Sequence, residues 1–384
     1  MTDRPIRTLV LAGGGHAHVI VLRALGDRPA PGLRVIVVAK ELSAPYSGML
    51  PGLVAGIYTP EQCHIDVPAL AAWAGAETAH DAVTGVDAAA RRVSLASGGQ
   101  LDYDLLSLDI GVTPALDALP GAAEHGVAVK PVSAFHPKWE ALAEAAGRPD
   151  GPRRFAVIGG GAAGFELALA IRRRLRDDAR RARRDPEAFA VTLVAGDELL
   201  PGMNAGARRR ARRALADARV ALIERDPAAE IAPDGARLAS GRRVAADAAL
   251  VTTRAAAAPW FAASGLPTAP DGFLAARPTL QLEGLDDVFA VGDCATVTDH
   301  PRPKAGVFAV RQGPPLAENL RRAARGAVPR PFEPQRRWLS ILSKSDGTAI
   351  AARGRFAAEG AWVWRWKDHI DRRFMARFRD LPPR

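Results

Sequence analysis

Three consecutive glycines, Gly13, Gly14 and Gly15, follow the apolar run 9–11 and lead into a helix-forming stretch that carries His16 and His18. That pattern can bind a pyrophosphate. Gly13 permits a tight turn, Gly15 lets the backbone approach an anion, and the helix start offers free N–H groups and a partial positive charge. The third glycine of a G-x-G-x-x-G fingerprint is replaced by His18, which either packs against the strand or donates to a phosphate. A metal held between His16 and His18 is disfavoured, because residues two apart on a helix point to different sides.

The same signal returns in "RRFAVIGGGAAGFELALAI", residues 153–171, this time complete with Gly159, Gly161 and Gly164. Each glycine turn is followed by a helix-length stretch and then a β-branched run, "LRVIVVA" (33–39) and "AVTLVAG" (190–196). Both copies therefore read as β-α-β crossover units of parallel sheets. One glycine turn is only a turn, but two on such frames imply two dinucleotides. A third element, "DDVFAVGDCA" (286–295), ends an apolar strand in Gly292-Asp293 and sets a carboxylate where it can accept from a polyol such as a ribityl chain.

These motifs must be carried by an α/β chain. Short strand-like runs fill 91–111, a Gly/Pro-rich linker covers 145–154, and the segment 270–297 is strand-rich. The resemblance that these motifs carry to two-dinucleotide flavoproteins implies a FAD-binding domain in two parts, 1–147 and 270–330, with an NAD(P)H-binding domain, 148–269, inserted between them. A C-terminal segment, 331–384, ends in an amphipathic helix.

With these features in place, the chain resembles the two-dinucleotide flavoproteins of the pyridine nucleotide-disulfide oxidoreductase superfamily over residues 8–330. "GGGHAHV", "PYSGMLPGLVAG" (45–56), "CHID" (63–66), "PKAGVFAVRQGPPLAENL" (303–320) and "EGAWVWRWKDHIDRRFMARF" narrow the likeness. They resemble the NADH-dehydrogenase-like flavoprotein often fused ahead of selenide, water dikinase, a branch similar to type II NADH:quinone dehydrogenases. The resemblance implies two Rossmann-like domains, FAD as cofactor, NAD(P)H as co-substrate and a quinone as acceptor. It assigns Gly13, Gly14, Gly15, His16, His18, Lys40, Glu41, Gly111, Gly292 and Asp293 to FAD, and Gly159, Gly161, Gly164 and Glu166 to the NAD(P)H side. It sets Tyr46, Ser47 and Gly48 on a loop near the flavin ring. Lys304 is implied to stabilise negative charge on reduced flavin, and Gln312 to lie near a quinone.

The sequence also departs from its relatives. The ribose-binding acid expected after each second strand is replaced by Ala39 and Ala195, with Glu41 a substitute at the first. Arg254 stands where relatives usually carry glycine. No dithiol motif follows the first unit, so disulfide-reductase chemistry is excluded. The two cysteines, Cys63 and Cys294, are far apart; Cys63 beside His64 is either an activated thiolate or a small buried side chain. A flavoenzyme for sulfur or selenium compounds, or a flavin-binding partner protein, are the alternatives.

The chain has 384 residues, 48% hydrophobic and 24% charged, the composition of a globular protein. Its formal charge of +10 comes largely from arginine-rich stretches such as 171–189 and 208–215, which mix Arg with Ala and acids at helical spacing. They read as solvated helix faces and not as nucleic-acid surfaces, because no stacking aromatics accompany them. The early position of the first strand predicts no secretory leader and a cytoplasmic location. In the tail, Trp362, Trp366, Ile370, Phe374 and Phe378 recur in steps of four, flanked by Lys367, Arg372, Arg373 and Arg377. Such a stripe across 362–378 suits a peripheral membrane contact, the protein's own core, or a homodimer interface.

Overall fold

The computed structural model describes residues 6–252 and 255–383, so Arg254 lies outside the described residues. Two five-stranded parallel sheets organise it. The first runs in the order Val288–Ala290, Leu105–Leu108, Arg7–Ala12, Leu33–Val38, Glu77–Ala79. The second runs Gly126–Ala128, Ala248–Val251, Arg154–Ile158, Ala190–Ala195, Val220–Glu224. The strand at 126–128 thus pairs in the second sheet although it precedes the linker that was expected to open that domain. The α/β architecture with Rossmann-like parallel sheets agrees with the reading from sequence.

The strands form where β-branched and leucine residues run together, and they are buried on both faces as parallel strands must be. Leu9, Val10, Leu11 and Ala12 are fully buried, as are Phe289 and Val288 of the returning strand. Full burial of each large aliphatic residue contributes roughly 1.5–3 kcal/mol of transfer free energy. The helix His16–Asp27 closes over the first sheet and packs against the helix Gly306–Ala324. A Cβ on Gly313 would stand 2.7 Å from Ile20, so that glycine sets the close approach of the two helices.

Antiparallel three-stranded sheets sit beside the parallel ones, at 83–102, 228–245 and 340–360. The last leads into the helix Ala361–Arg379. Its expected single apolar stripe is split. Phe374 and Phe378 are buried, whereas Trp362, Trp366 and Ile370 are 53%, 42% and 39% exposed. The reason is geometric: each step of four overshoots a helical turn by about 40°, so the two ends of the series face roughly opposite sides. Lys367, expected on the basic flank, is instead on the buried face with Val363, Asp371 and Met375.

The arginine-rich helix Ala162–Arg181 is neutralised locally. Arg173 pairs with Asp177, Arg174 with Glu140 and Asp178, and Arg176 with Glu187. Among the described residues, no helix is long and apolar enough to cross a membrane.

Candidate functional site: two glycine turns

The first sheet ends in the first glycine turn. Gly13 sits at φ +101°, a conformation that excludes most side chains, and a Cβ there would lie 2.3 Å from the Asp109 carbonyl oxygen. Parallel pairing sets Ala12 beside Leu108, which brings Asp109 directly under the turn. The Asp109 carboxylate accepts from the N–H groups of Ala17 (2.9 Å) and His18 (3.1 Å), capping the helix from another strand. A Cβ on Gly15 would fall 2.2 Å from that carboxyl carbon. Burial pushes the Asp109 acid up to about 7, against the pull of the two amides.

His18 is fully buried and points inward. Its Nδ1 lies 2.7 Å from the Gly13 carbonyl oxygen and its Nε2 2.8 Å from Ser107 Oγ, so the ring serves packing and does not face an anion. Burial lowers its pKa to about 4, keeping it neutral. His16 behaves differently. Its Nε2 is buried without a partner, and its ring stands 5.6 Å from Tyr46 and 6.5 Å from Phe374. Burial lowers it to about 4; the nearby Asp293 opposes that shift and Lys130 adds to it. Ala39 is buried, while Lys40 and Glu41 are exposed beyond it, with the Glu41 carbonyl oxygen 3.6 Å from a Cβ on Gly14.

Gly292 adopts φ +69° and turns the returning strand toward the same place. A Cβ there would meet Asp109 Oδ1 at 2.3 Å. Asp293 pairs with Lys130 at 2.9 Å, a contact from the second sheet's edge to the first. Gln312 is buried, and its Oε1 accepts from the Gly292 N–H at 2.7 Å. Lys304 donates to the Ala295 carbonyl (2.6 Å) and to Thr296 Oγ1 (2.6 Å), above the Phe273 ring. Gln312 thus holds the Gly292-Asp293 turn, and Lys304 holds the strand that leaves it. Gly111 (φ +73°) has open space around it.

The second turn repeats the first with other residues. Gly159 sits at φ +128°, and Thr252 takes the place of Asp109, because Ile158 pairs with Val251 as Ala12 pairs with Leu108. Thr252 Oγ1 donates to the Ile158 carbonyl at 2.9 Å. Gly164 lets the helix close on the strand, since a Cβ would be 1.8 Å from the Gly159 carbonyl oxygen. Around Gly161 nothing lies within 4 Å of a Cβ, so the helix start is open. Ala195 is buried where the ribose acid was expected, and Asp197 beyond it is exposed.

A run of contacts leads from the first turn toward the second unit's helix. Tyr46 packs on Phe374 at 4.6 Å and donates to Asp371; burial and that carboxylate raise its pKa. Lys367 Nζ donates to Asp371 Oδ2 and to the Gly48 carbonyl, each at 2.6 Å. Ser47, which is exposed, reaches toward Gly306. Glu166, on the second unit's helix, accepts from the Ser343 N–H at 2.7 Å, and burial pushes it up to about 7 although Lys367 is near. Asp109, Lys130, Lys367 and Asp371 were not recognised as site residues from the sequence. Comparing "LLSLD" (105–109) with "AALVT" (248–252) as matching strand ends would have pointed to the first of them.

Cys63 is buried, and its thiol is pushed up to about 12 by burial; His64 turns away to the Pro60 carbonyl. Cys294 is buried too, its Sγ 3.1 Å from the Val291 carbonyl oxygen, with the thiol again at about 12. Neither is an activated thiolate.

Known proteins share sequence and fold with this chain. An NADH dehydrogenase-like protein of Mycobacterium tuberculosis is 33% identical over 218 residues, 56% of this chain and 54% of the relative. The alignment thus spans about half the length of that relative. The Ferroptosis suppressor protein 1 of Taeniopygia guttata is 26% identical over 276 residues, 69% of each chain. The fold is similar to that of NDH2 from Plasmodium falciparum (TM-score 0.81, 12% identity, 98% of this chain and 99% of the other). It is also similar to the sulfide:quinone oxidoreductase of Aquifex aeolicus (TM-score 0.80, 18% identity, 97% and 92%). Residues 7–313 match the family described as Pyridine nucleotide-disulphide oxidoreductase. The chain therefore belongs to the pyridine nucleotide-disulphide oxidoreductases, a family dependent on FAD and NAD(P)H.

Proposed function

We propose that this oxidoreductase is a FAD-dependent NAD(P)H dehydrogenase whose electron acceptor is a quinone. The observation that carries the reading is the run from the first glycine turn through Tyr46 and Asp371 to Lys367, whose charge acts on Glu166 of the second unit's helix. The residues fit FAD on their own evidence: a glycine turn that no Cβ could enter, a buried imidazole nitrogen of His16 without a partner, and the Asp293 carboxylate at a strand end.

In this reading Gly13, Gly14 and Gly15 approach the pyrophosphate, Asp293 accepts from the ribityl chain, and Lys304 and Gln312 hold the turn that presents it. Tyr46, Ser47 and Gly48 line the ring side, fixed from behind by Lys367 and Asp371. Gly159, Gly161 and Gly164 admit NAD(P)H. FAD, when bound there, would supply the two-electron redox chemistry between nicotinamide and quinone. Two-electron reduction of a quinone takes up two protons, one delivered with the hydride and one from outside it, and Glu166, pushed up to about 7 by burial, holds one near neutral pH. The buried, protonated thiols of Cys63 and Cys294 speak against a sulfur relay through either cysteine.

The half-turn of the C-terminal helix that faces outward supports a lipid-dissolved acceptor. Trp362 and Trp366 stack with centroids 6.4 Å apart beside exposed Ile370, among the exposed Arg365, Arg372 and Arg373. Aromatics with basic neighbours suit an anionic membrane surface, and we assign the protein to the cytoplasmic face of one. A homodimer through the same patch is the competing outcome.

The test is a double-mixing experiment. The flavin is reduced without oxygen by NADH or NADPH, then mixed with a short-chain ubiquinone, with sulfide-derived polysulfide, or with buffer. Fast reoxidation by the quinone alone is expected. Reoxidation no faster than in buffer would remove the quinone. Cosedimentation with phosphatidylserine vesicles, lost in Trp362→Ala/Trp366→Ala, reads the membrane contact; a dimer that those changes dissociate, with no vesicle binding, would contradict it.

A further inference from the structure

We propose that Asp109 binds FAD as the neutral acid, so that the cofactor's pyrophosphate and one proton enter the first glycine turn together. The inference rests on FAD occupying that turn. Its starting point is the position of the carboxyl group. It stands within 2.3 Å of where a Cβ would be on both Gly15 and Gly292, so it touches the phosphate turn and the ribityl turn at once. It is 3% exposed and capped by two backbone amides.

The groups that face it do not neutralise it. His18, on the helix above, is neutral and has both ring nitrogens engaged with Gly13 and Ser107. His16 is likewise held neutral by burial. Asp293, from the returning strand, adds like charge; Lys130 is paired to Asp293, and Lys304 is bonded to Ala295 and Thr296. The Cys294 thiol beside it is protonated and buried. Among the described residues no ion pair includes Asp109. A doubly charged pyrophosphate at Gly15 would add further like charge in a water-poor setting, where interactions between charges are strong. The acid escapes that repulsion by keeping its proton, and it then offers an O–H to the anion. The second turn has no such requirement, because Thr252 brings a neutral hydroxyl to the equivalent place.

Proton uptake on binding means that FAD affinity falls as pH rises above the free carboxyl's titration, by up to about tenfold per pH unit. The holoprotein is diluted at a series of pH values, and released FAD is read by its fluorescence. Wild type is expected to show a dissociation constant that is flat below about pH 6 and climbs above about pH 7, approaching tenfold per unit. Asp109→Asn, which keeps the acceptor oxygen for the helix amides, should bind with no such slope. A second measurement needs no variant: in weakly buffered solution at about pH 8, a dye should report close to one proton released per FAD released. A flat wild-type profile, an unchanged slope in Asp109→Asn, or release without protons would overturn the proposal. A folded wild-type chain that holds no FAD at any pH would instead remove the FAD reading on which it rests.

Discussion

The two glycine turns lie at equivalent ends of equivalent sheets and solve the same packing problem in opposite ways. At the second turn Gly164 removes its side chain, so the helix rests directly on the Gly159 carbonyl, and Thr252 closes the strand end with a neutral hydroxyl. At the first turn His18 keeps a large side chain and spends both nitrogens on the strand and on Ser107. An acid, Asp109, then caps the helix from below. The open helix start at Gly161 suits a co-substrate that comes and goes. The filled one at Gly15 suits a cofactor that stays.

Substitutions can break this contrast, beginning with the largest effect. Gly164→Ala forces a Cβ to 1.8 Å from a backbone oxygen that cannot move aside. We expect a loss of about 3 kcal/mol or more in urea unfolding, since overpacking against main chain has no cheap relaxation. His18→Ala should cost about 2–3 kcal/mol, through a cavity and the stranded Ser107 hydroxyl, and should release FAD more readily. Equal stability in that variant would mean that the imidazole is not the structural replacement for glycine.

Glu166 gives an effect on the order of 2 kcal/mol that depends on pH. Its folded pKa of about 7 lies above its ordinary value of 4.5. Between those two values the unfolded chain has released the proton and the folded chain retains it. Stability should therefore fall as pH rises through that window and level off above it. Glu166→Gln should remove this part of the decline, measured as the difference between wild-type and variant unfolding free energies at about pH 5 and pH 7.5. Parallel curves would contradict the burial argument. The smallest effect belongs to Gly161→Ala, where the added methyl meets nothing within 4 Å. Stability should change by about 0.5 kcal/mol at most, while the KM for NAD(P)H rises.

Much of this was legible before the structure. The glycine spacings, the β-branched runs and the Gly292-Asp293 strand carried the fold and both turns, because local pattern and tertiary role coincide there. Asp109 was hidden for the opposite reason: in "LSLDIG" it reads as an ordinary loop acid, and only the pairing of Leu108 with Ala12 brings it beneath Gly13. The bonds of Lys304 to Ala295 and of Gln312 to Gly292 had no signal in sequence spacing, because they depend on how the strand and the following helix pack. The C-terminal helix shows the limit of periodicity most clearly. A step of four looks like one stripe on paper and winds around the helix in space, so its two ends have different partners.

The central claim is that the first turn holds FAD and the second admits NAD(P)H within electron-transfer reach. Its most direct test is to record the visible spectrum of the purified protein and add NADH or NADPH without oxygen, for wild type and for a Gly161→Val variant. A bound flavin is expected in both, bleached within seconds in wild type and slowly in the variant. A folded wild-type protein without flavin, or a flavin that neither nucleotide reduces, would contradict it.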